Sequence, residues 1–174
     1  MDWERWSVVL LKPDCVRRGM VDTVLDRLSE TAEIRARQDV TVQDWQIFVH
    51  YWDLLVDADR FDLDIPSCLR SMYVGQRVAV ALAHGTAGIA SRLRDHLGHF
   101  DPGQAQRGTI RGDLGTDSLA RARAHGRLIE NLVHTSDDAE AARRDFGTWF
   151  GASNRQLLVT TLPSQQRQPW RTRP

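Results

Sequence analysis

His134 stands where the apolar run Leu128 to Val133 gives way to Thr135, Ser136 and Asp137. An imidazole at the end of a strand, followed by small hydroxyl residues and a carboxylate, is placed for proton transfer or nucleophilic attack. A second candidate is set apart by composition: the chain has 22 arginines and a single lysine, Lys12. Lys12 follows Val8-Val9-Leu10-Leu11 and precedes Pro13-Asp14. Lysine offers a compact, rotatable point charge and arginine a wide planar fork. A tight anionic site at the end of a buried strand favours the former; arginine-rich coding that spared one lysine by chance explains it equally well.

Arginine supplies the other cations. Arg111 lies between Gly108 and Gly112 in a stretch without periodicity. The glycines would let the backbone approach a ligand closely, and a guanidinium can hold phosphate oxygens in pairs. Arg94 falls in the last turn of a helix that ends at Gly98. Taken singly, His134 also fits a structural histidine, and each arginine fits a solvated surface charge.

Other chemistries lack their signatures. There is no G-x-G and no Walker pattern around Lys12, so a phosphate site must be built from side chains. The remaining histidines form no H-E-x-x-H, and no cysteine lies near His96 and His99 to complete a zinc set. With 23 basic and 23 acidic residues, no global field favours nucleic acid or a membrane surface. No apolar stretch is long enough to span a bilayer, and the acidic, mixed start Met1-Asp2-Trp3-Glu4-Arg5 is no secretory signal. Cys15 and Cys68 read as reduced thiols, which places the chain in the cytoplasm.

The elements that must position these residues follow from periodicity. Trp6 to Leu11 and Arg77 to Ala83 read as buried strands, Glu33 to Val42 as an imperfectly alternating one, and Leu128 to Val133 as a short one. Helices are expected over Gly19 to Leu28, from a cap at Asp44 through Leu55, over Ile65 to Met72, Thr86 to Leu97, Ser118 to Arg127 and Asp138 to Phe146. Val56 to Asp64 is an acidic loop and His99 to Asp113 a long one. Strands interleave with helices, which predicts an α/β or α+β sandwich with helices covering a sheet. Residues 1–150 form one domain and 151–174 an extension, packed near Leu157-Leu158-Val159 and frayed at its proline-bearing end.

In order along the chain stand Lys12-Pro13-Asp14, Arg17-Arg18-Gly19-Met20-Val21, His50-Tyr51, Gly108-Thr109-Ile110-Arg111-Gly112-Asp113, Asn131-Leu132-Val133-His134-Thr135-Ser136-Asp137 and Asp145-Phe146-Gly147-Thr148-Trp149-Phe150. This series resembles the nucleoside diphosphate kinase family from about Arg5 to Phe150. The resemblance implies a ferredoxin-like βαββαβ core with a four-stranded antiparallel sheet. It implies ping-pong phosphoryl transfer from a nucleoside triphosphate to a nucleoside diphosphate through a phosphohistidine on His134. Phosphoryl transfer needs positioning and charge neutralisation above all, and a neutral imidazole is an available nucleophile and leaving group. By the same resemblance Lys12, Arg94 and Arg111 bind phosphate, Tyr51 contacts it, and Asn131 lies near sugar and phosphates. Asp145 takes the place of a glutamate that supports the histidine, and Ser136 the place of a serine beside it. Magnesium would arrive on the nucleotide phosphates, without a protein metal site, and the chain would form a homo-oligomer.

Departures from the pattern are local. Cys15 replaces a usual glycine, Phe100 a phosphate-contacting threonine, and Glu130 an arginine. The segment expected to close over the base reads Asp59-Arg60-Phe61-Asp62-Leu63-Asp64, with Phe61 as the candidate base contact. Residues 114–127 form an insertion carrying Arg121, Arg123, His125 and Arg127, which would either border the site or make a solvated basic helix. Beside an ordinary nucleoside diphosphate kinase, these changes admit an altered acceptor or nucleotide preference, as in specialised metabolism, or a non-catalytic nucleotide-binding protein.

Overall fold

The computed structural model describes residues 1–159. The chain runs β1 (Trp6–Leu11), α1 (Pro13–Arg17), α2 (Val21–Leu28), β2 (Glu33–Thr41), α3 (Asp44–His50), α4 (Trp52–Val56), α5 (Ile65–Tyr73) and β3 (Arg77–His84). It continues through α6 (Ile89–Leu97), α7 (Ile110–Leu114), α8 (Leu119–Ala124), β4 (Val133–Thr135) and α9 (Ala139–Trp149). The four strands form one antiparallel sheet in the order β2-β3-β1-β4.

The central strands are apolar throughout because both faces of the sheet are covered. Val9, Leu11, Ala79, Ala81 and Ala83 point to one side, against Val24, Leu25 and Leu28 of α2 and Ile89, Leu93 and Leu97 of α6. Val8, Leu10, Val80 and Leu82 point to the other, against Ile47 of α3, Leu69 and Tyr73 of α5, and Phe146 and Trp149 of α9. Cys15 and Cys68 are free thiols. Among the described residues, no helix is long and apolar enough to cross a membrane.

Several elements differ from expectation. The helix expected from Asp44 to Leu55 breaks at Tyr51 into α3 and α4. Its cap is Gln43, whose side chain and that of Gln46 exchange hydrogen bonds with each other's backbone, and not Asp44. The loop after Gly98 contains the short helix α7, and a further short helix, α1, follows Lys12. The last strand is Val133–Thr135 rather than Leu128 to Val133. Leu132 has φ +70°, so the chain cannot extend through it. That conformation is held by two hydrogen bonds: Lys12 N–H donates to the Leu132 carbonyl at 2.8 Å, and Leu132 N–H donates to Asp14 Oδ2 at 2.9 Å. A 3-10 helix, Ala152–Leu158, packs Leu158 into the core, and the expected frayed end beyond Val159 lies outside the described residues.

Candidate active site

The pairing of β1 with β4 sets the site. Leu10 lies opposite His134 and Leu11 opposite Val133, so the lysine that follows β1 and the histidine within β4 emerge at the same end of neighbouring strands. His134 is thus the middle residue of a short strand, not the residue beyond its end. Paired residues share a face, so the imidazole looks toward the layer of α3, α5 and α9. Its ring centroid lies 4.9 Å from that of His50 and 5.4 Å from that of Tyr51. No side-chain hydrogen bond to the His134 ring occurs among the described residues. Burial, then His50 and the cations Lys12, Arg111 and Arg94, hold its pKa well below the usual 6.5, so the ring is neutral at pH 7.

Lys12 is 6% exposed. Its Nζ donates to Asn131 Oδ1 at 2.9 Å and to the Ile129 carbonyl at 3.1 Å, and it sits 5.8 Å from the Tyr73 ring centroid. Burial lowers its pKa to about 8 against the opposing attraction of Asp14. Asn131 is spanned by two contacts, since its Nδ2 donates to the Phe100 carbonyl at 2.8 Å. Tyr51, where α3 ends, pairs its hydroxyl with that of Tyr73 at 2.8 Å, and burial pushes its pKa up.

The glycine-flanked motif is built differently from the sequence expectation. Thr109 caps α7 by accepting from Gly112 N–H at 3.2 Å. A side chain at Gly112 would overlap the Gln106 carbonyl, so this glycine admits the protein's own backbone and not a ligand. Arg111, 9% exposed, donates to the carbonyls of Val133 at 2.7 Å, Gly98 at 3.0 Å and Asn131 at 3.4 Å. It ties α6, its own helix and β4 together at the cavity wall. Burial brings its pKa down to about 10. Arg94 on α6 pairs with Asp137, just beyond β4.

Asp145 on α9 does not hydrogen-bond His134. Its Oδ1 lies 3.0 Å from His50 Nδ1 and 3.2 Å from Arg144 Nε, and its Oδ2 accepts from Ser136 Oγ at 2.8 Å. Burial would raise its pKa, but the hydrogen bonds from His50 and Ser136, with the Arg144 charge, bring it below the ordinary carboxylate value. Ser136 Oγ also accepts from Val8 N–H at 3.1 Å, linking β1 to α9. His50, His134 and Asp145 are the one group of potential metal ligands among the described residues. Asp145 already accepts from Ser136 and pairs with Arg144.

A cavity of about 1040 Å³ opens at this end of the sheet, and His50, Asp145 and Ser136 lie behind its wall and not on it. Lys12, Tyr51, Arg94, Arg111, Asn131 and His134 all reach it, as do Phe61 and Phe100. Phe100 is 49% exposed and packs on His99 with centroids 4.6 Å apart. The inserted segment supplies Leu119, Arg123 and Arg127 to the wall. Arg127 is engaged by Asp117 through two contacts, at 2.6 and 3.1 Å. Burial opposes the charge on Asp117, and the Arg127 fork with the Glu130 N–H outweighs it, holding the carboxyl at about 2. Glu130, the charge reversal noted in the sequence, pairs with Arg17 on α1 at 2.5 Å.

The nucleoside diphosphate kinase family pattern matches residues 5–155, most of the chain and every residue of this constellation. The chain belongs to the nucleoside diphosphate kinase family. A relative named nucleoside diphosphate kinase from Streptococcus thermophilus (strain CNRZ 1066) is 33% identical over 142 residues, covering 82% of this chain and 95% of the relative. One from Synechococcus sp. (strain JA-3-3Ab) is 32% identical over 160 residues, covering 92% of this chain and 95% of the relative. Among solved structures, a transition-state mimic of nucleoside-diphosphate kinase from Borrelia burgdorferi with bound vanadate and ADP superposes with a TM-score of 0.77 at 25% identity. That match covers 86% of this chain and 88% of the other. An NDP kinase from Pyrobaculum aerophilum gives a TM-score of 0.73 at 26% identity, covering 86% and 97%. The protein is an enzyme of this kind, with the family's ferredoxin-like α+β fold. Within this kinase, sequence reasoning passed over His50, Tyr73 and Asp14 as contributors. His50 appeared only beside Tyr51, and its partner Asp145 is 95 positions away, a distance no local pattern bridges.

Proposed function

We propose that this enzyme carries the γ-phosphoryl group of a nucleoside triphosphate to a nucleoside diphosphate in two halves, with His134 as the intermediate carrier. The observation that supports this most is the state of His134. Its ring is neutral, without a side-chain hydrogen bond among the described residues, open to the cavity and under the influence of the cations Lys12, Arg111 and Arg94 that share the cavity. In the first half a ring-nitrogen lone pair forms the N–P bond as the bond from the γ-phosphorus to the bridging oxygen breaks. The electron pair departs on the diphosphate. The second half reverses this: a terminal oxygen of the acceptor diphosphate attacks phosphorus and the histidine leaves.

The cations neutralise charge on the transferred group. Lys12 Nζ has three N–H bonds and gives two to Asn131 and Ile129, so one remains for a phosphate oxygen. Arg111 engages three carbonyls and keeps the rest of its fork for an anion. Arg94 is released to a phosphate by sharing or exchanging Asp137. The Tyr51 hydroxyl, held by Tyr73, faces the same space. Phe61 offers a flat apolar surface for a base. Magnesium fits as part of the substrate, because the wall carries Asp137, whose carboxylate can take a water of a phosphate-bound cation. Bound with the nucleotide, the cation would offset the charge of the phosphates. The free thiols of Cys15 and Cys68 suit a cytoplasmic setting.

Initial-rate kinetics with magnesium ATP and a second nucleoside diphosphate test the two-half scheme. Parallel lines in double-reciprocal plots are expected; intersecting lines, which require both substrates bound at once, would overturn it.

A second reading, an altered acceptor, is favoured by the inserted wall. Leu119, Arg123 and Arg127 extend a cavity already at the upper end of small-molecule sites, and Phe100 brings a ring where a hydroxyl would serve common diphosphates. Isolated phosphoenzyme that fails to discharge onto any common nucleoside diphosphate would favour this reading over the first.

A further inference from the structure

His50 is 1% exposed and sits between the buried carboxylate of Asp145 and the His134 ring. The two imidazoles meet almost at right angles, 85°, with centroids 4.9 Å apart. A ring nitrogen of His50, one of His134 and a carboxylate oxygen of Asp145 lie within 4.8 Å of one another. Asp145 already receives Ser136 Oγ and Arg144 Nε, so it is ionised and can only accept. Its short contact to His50 Nδ1 therefore assigns the His50 proton to Nδ1. Trp149 Nε1 also approaches that nitrogen, at 3.2 Å, but an indole N–H cannot be accepted by a nitrogen that is itself donating to a carboxylate. In the neutral ring the other nitrogen, His50 Nε2, is a lone-pair acceptor. It is buried and has no hydrogen-bond partner.

We infer that His50 is a positioning residue for the phosphoryl transfer: anchored by Asp145, it presents Nε2 as the acceptor for one N–H of His134, which leaves the lone pair on the opposite His134 nitrogen directed at the substrate. An unpartnered buried acceptor costs free energy, and the His134 ring, which packs on the His50 ring, also lacks a hydrogen-bond partner among the described residues. Contacts of this kind in ligand-free sites are long and tighten when the substrate binds. Asp145 therefore acts on His134 through His50, by fixing the tautomer and plane of the first ring so that it can fix the second. This rests on the reading of His134 as the phosphoryl carrier.

The test combines kinetics with a readout independent of activity. His50→Phe keeps the ring volume and removes both nitrogens; His50→Gln restores a polar acceptor on a chain of similar reach. Single-turnover phosphorylation by saturating magnesium ATP is expected to slow on the order of 10²-fold in His50→Phe, with half-saturation unchanged, and to recover in part in His50→Gln. The double variant His50→Phe/Asp145→Asn is expected to be no slower than His50→Phe alone. A further loss of similar size would show that Asp145 acts on His134 directly and would overturn the inference. In nitrogen-15 imidazole spectra the wild-type His134 is expected in one tautomer, with both tautomers populated in His50→Phe. An unchanged His134 tautomer in His50→Phe, or in His50→Leu if the first variant does not fold, contradicts the inference even if His134 proves never to be phosphorylated. Lack of phosphorylation with the tautomer shift intact would instead refute only the carrier role.

Discussion

Lys12 Nζ lies 2.9 Å from Asn131 Oδ1, across the end of the β1–β4 pair. The contact couples the one lysine of the chain to a loop residue that also binds the Phe100 carbonyl. It explains why an ammonium is kept in an arginine-rich sequence. The space beneath Asn131 and above Tyr73 holds a compact charge with one donor free, and a planar fork would have to displace Asn131 or Ile129.

Lys12→Arg is therefore expected to lower the single-turnover phosphorylation rate by about 10²-fold, equivalent to about 2.7 kcal/mol. Rapid-quench measurement on the folded variant checks this. Full activity would mean that the lysine is an accident of composition.

The pH dependence follows from the two shifted groups. Burial disfavours the Lys12 ammonium, so the charge is held below about pH 8 and lost as pH rises through that value in the ligand-free enzyme. His134 titrates well below 6.5, so its neutral form persists to acid pH. Phosphorylation at subsaturating nucleotide should show no fall near pH 6.5 and a decline above about pH 8. For stability the sign is opposite to that of a stabilised lysine. Between about 8 and 10.5 the unfolded chain binds the proton that folded Lys12 has lost, so the Lys12 contribution rises with pH across that window, and its burial cost is fully present below it. Urea titrations of the wild type against Lys12→Met over this range measure the difference.

Ser136 has a structural duty that its position beside the histidine does not disclose. Its hydroxyl donates to Asp145 and accepts from Val8 N–H, and it is fully buried. Ser136→Ala leaves both groups short of a partner and should destabilise the fold by about 1–3 kcal/mol. Urea midpoints at constant m-value test this; an unchanged midpoint would mean that Asp145 is held well enough by His50 and Arg144.

Phe100 lines the cavity with a half-exposed ring while its carbonyl keeps Asn131 in place. Phe100→Thr preserves the carbonyl and adds a hydroxyl. Transfer to common nucleoside diphosphates should rise about tenfold in kcat/KM, the worth of one hydrogen bond to a charged group. A fall would assign the ring to a different acceptor.

The central strands were legible because both faces of the sheet are buried, which leaves Val8-Val9-Leu10-Leu11 and Val78 to Ala83 unbroken by polar residues. The last strand was misplaced for a local reason. The apolar residues Leu128, Ile129 and Leu132 serve a loop whose carbonyls and N–H groups bind Lys12, Asp117 and Asp14, and Leu132 takes a left-handed conformation. Lys12, Arg94, Arg111, Asn131 and His134 could be gathered from motif order, and they line one cavity. His50 stands in that series only beside Tyr51, and Tyr73 not at all, because two helices, α3 and α5, carry them at positions that read as ordinary core. Asp145, expected to stand in for a glutamate that supports the histidine, makes its imidazole contact with His50, which lies far from it in sequence and packs on the His134 ring.

Intact-mass measurement after incubation with magnesium ATP tests the carrier role of His134 most directly. The wild type is expected to gain one phosphoryl group that is lost in acid and passes to an added nucleoside diphosphate, while His134→Ala gains none. A wild type that stays unmodified, or a His134→Ala variant that gains and passes on the same group, would contradict it.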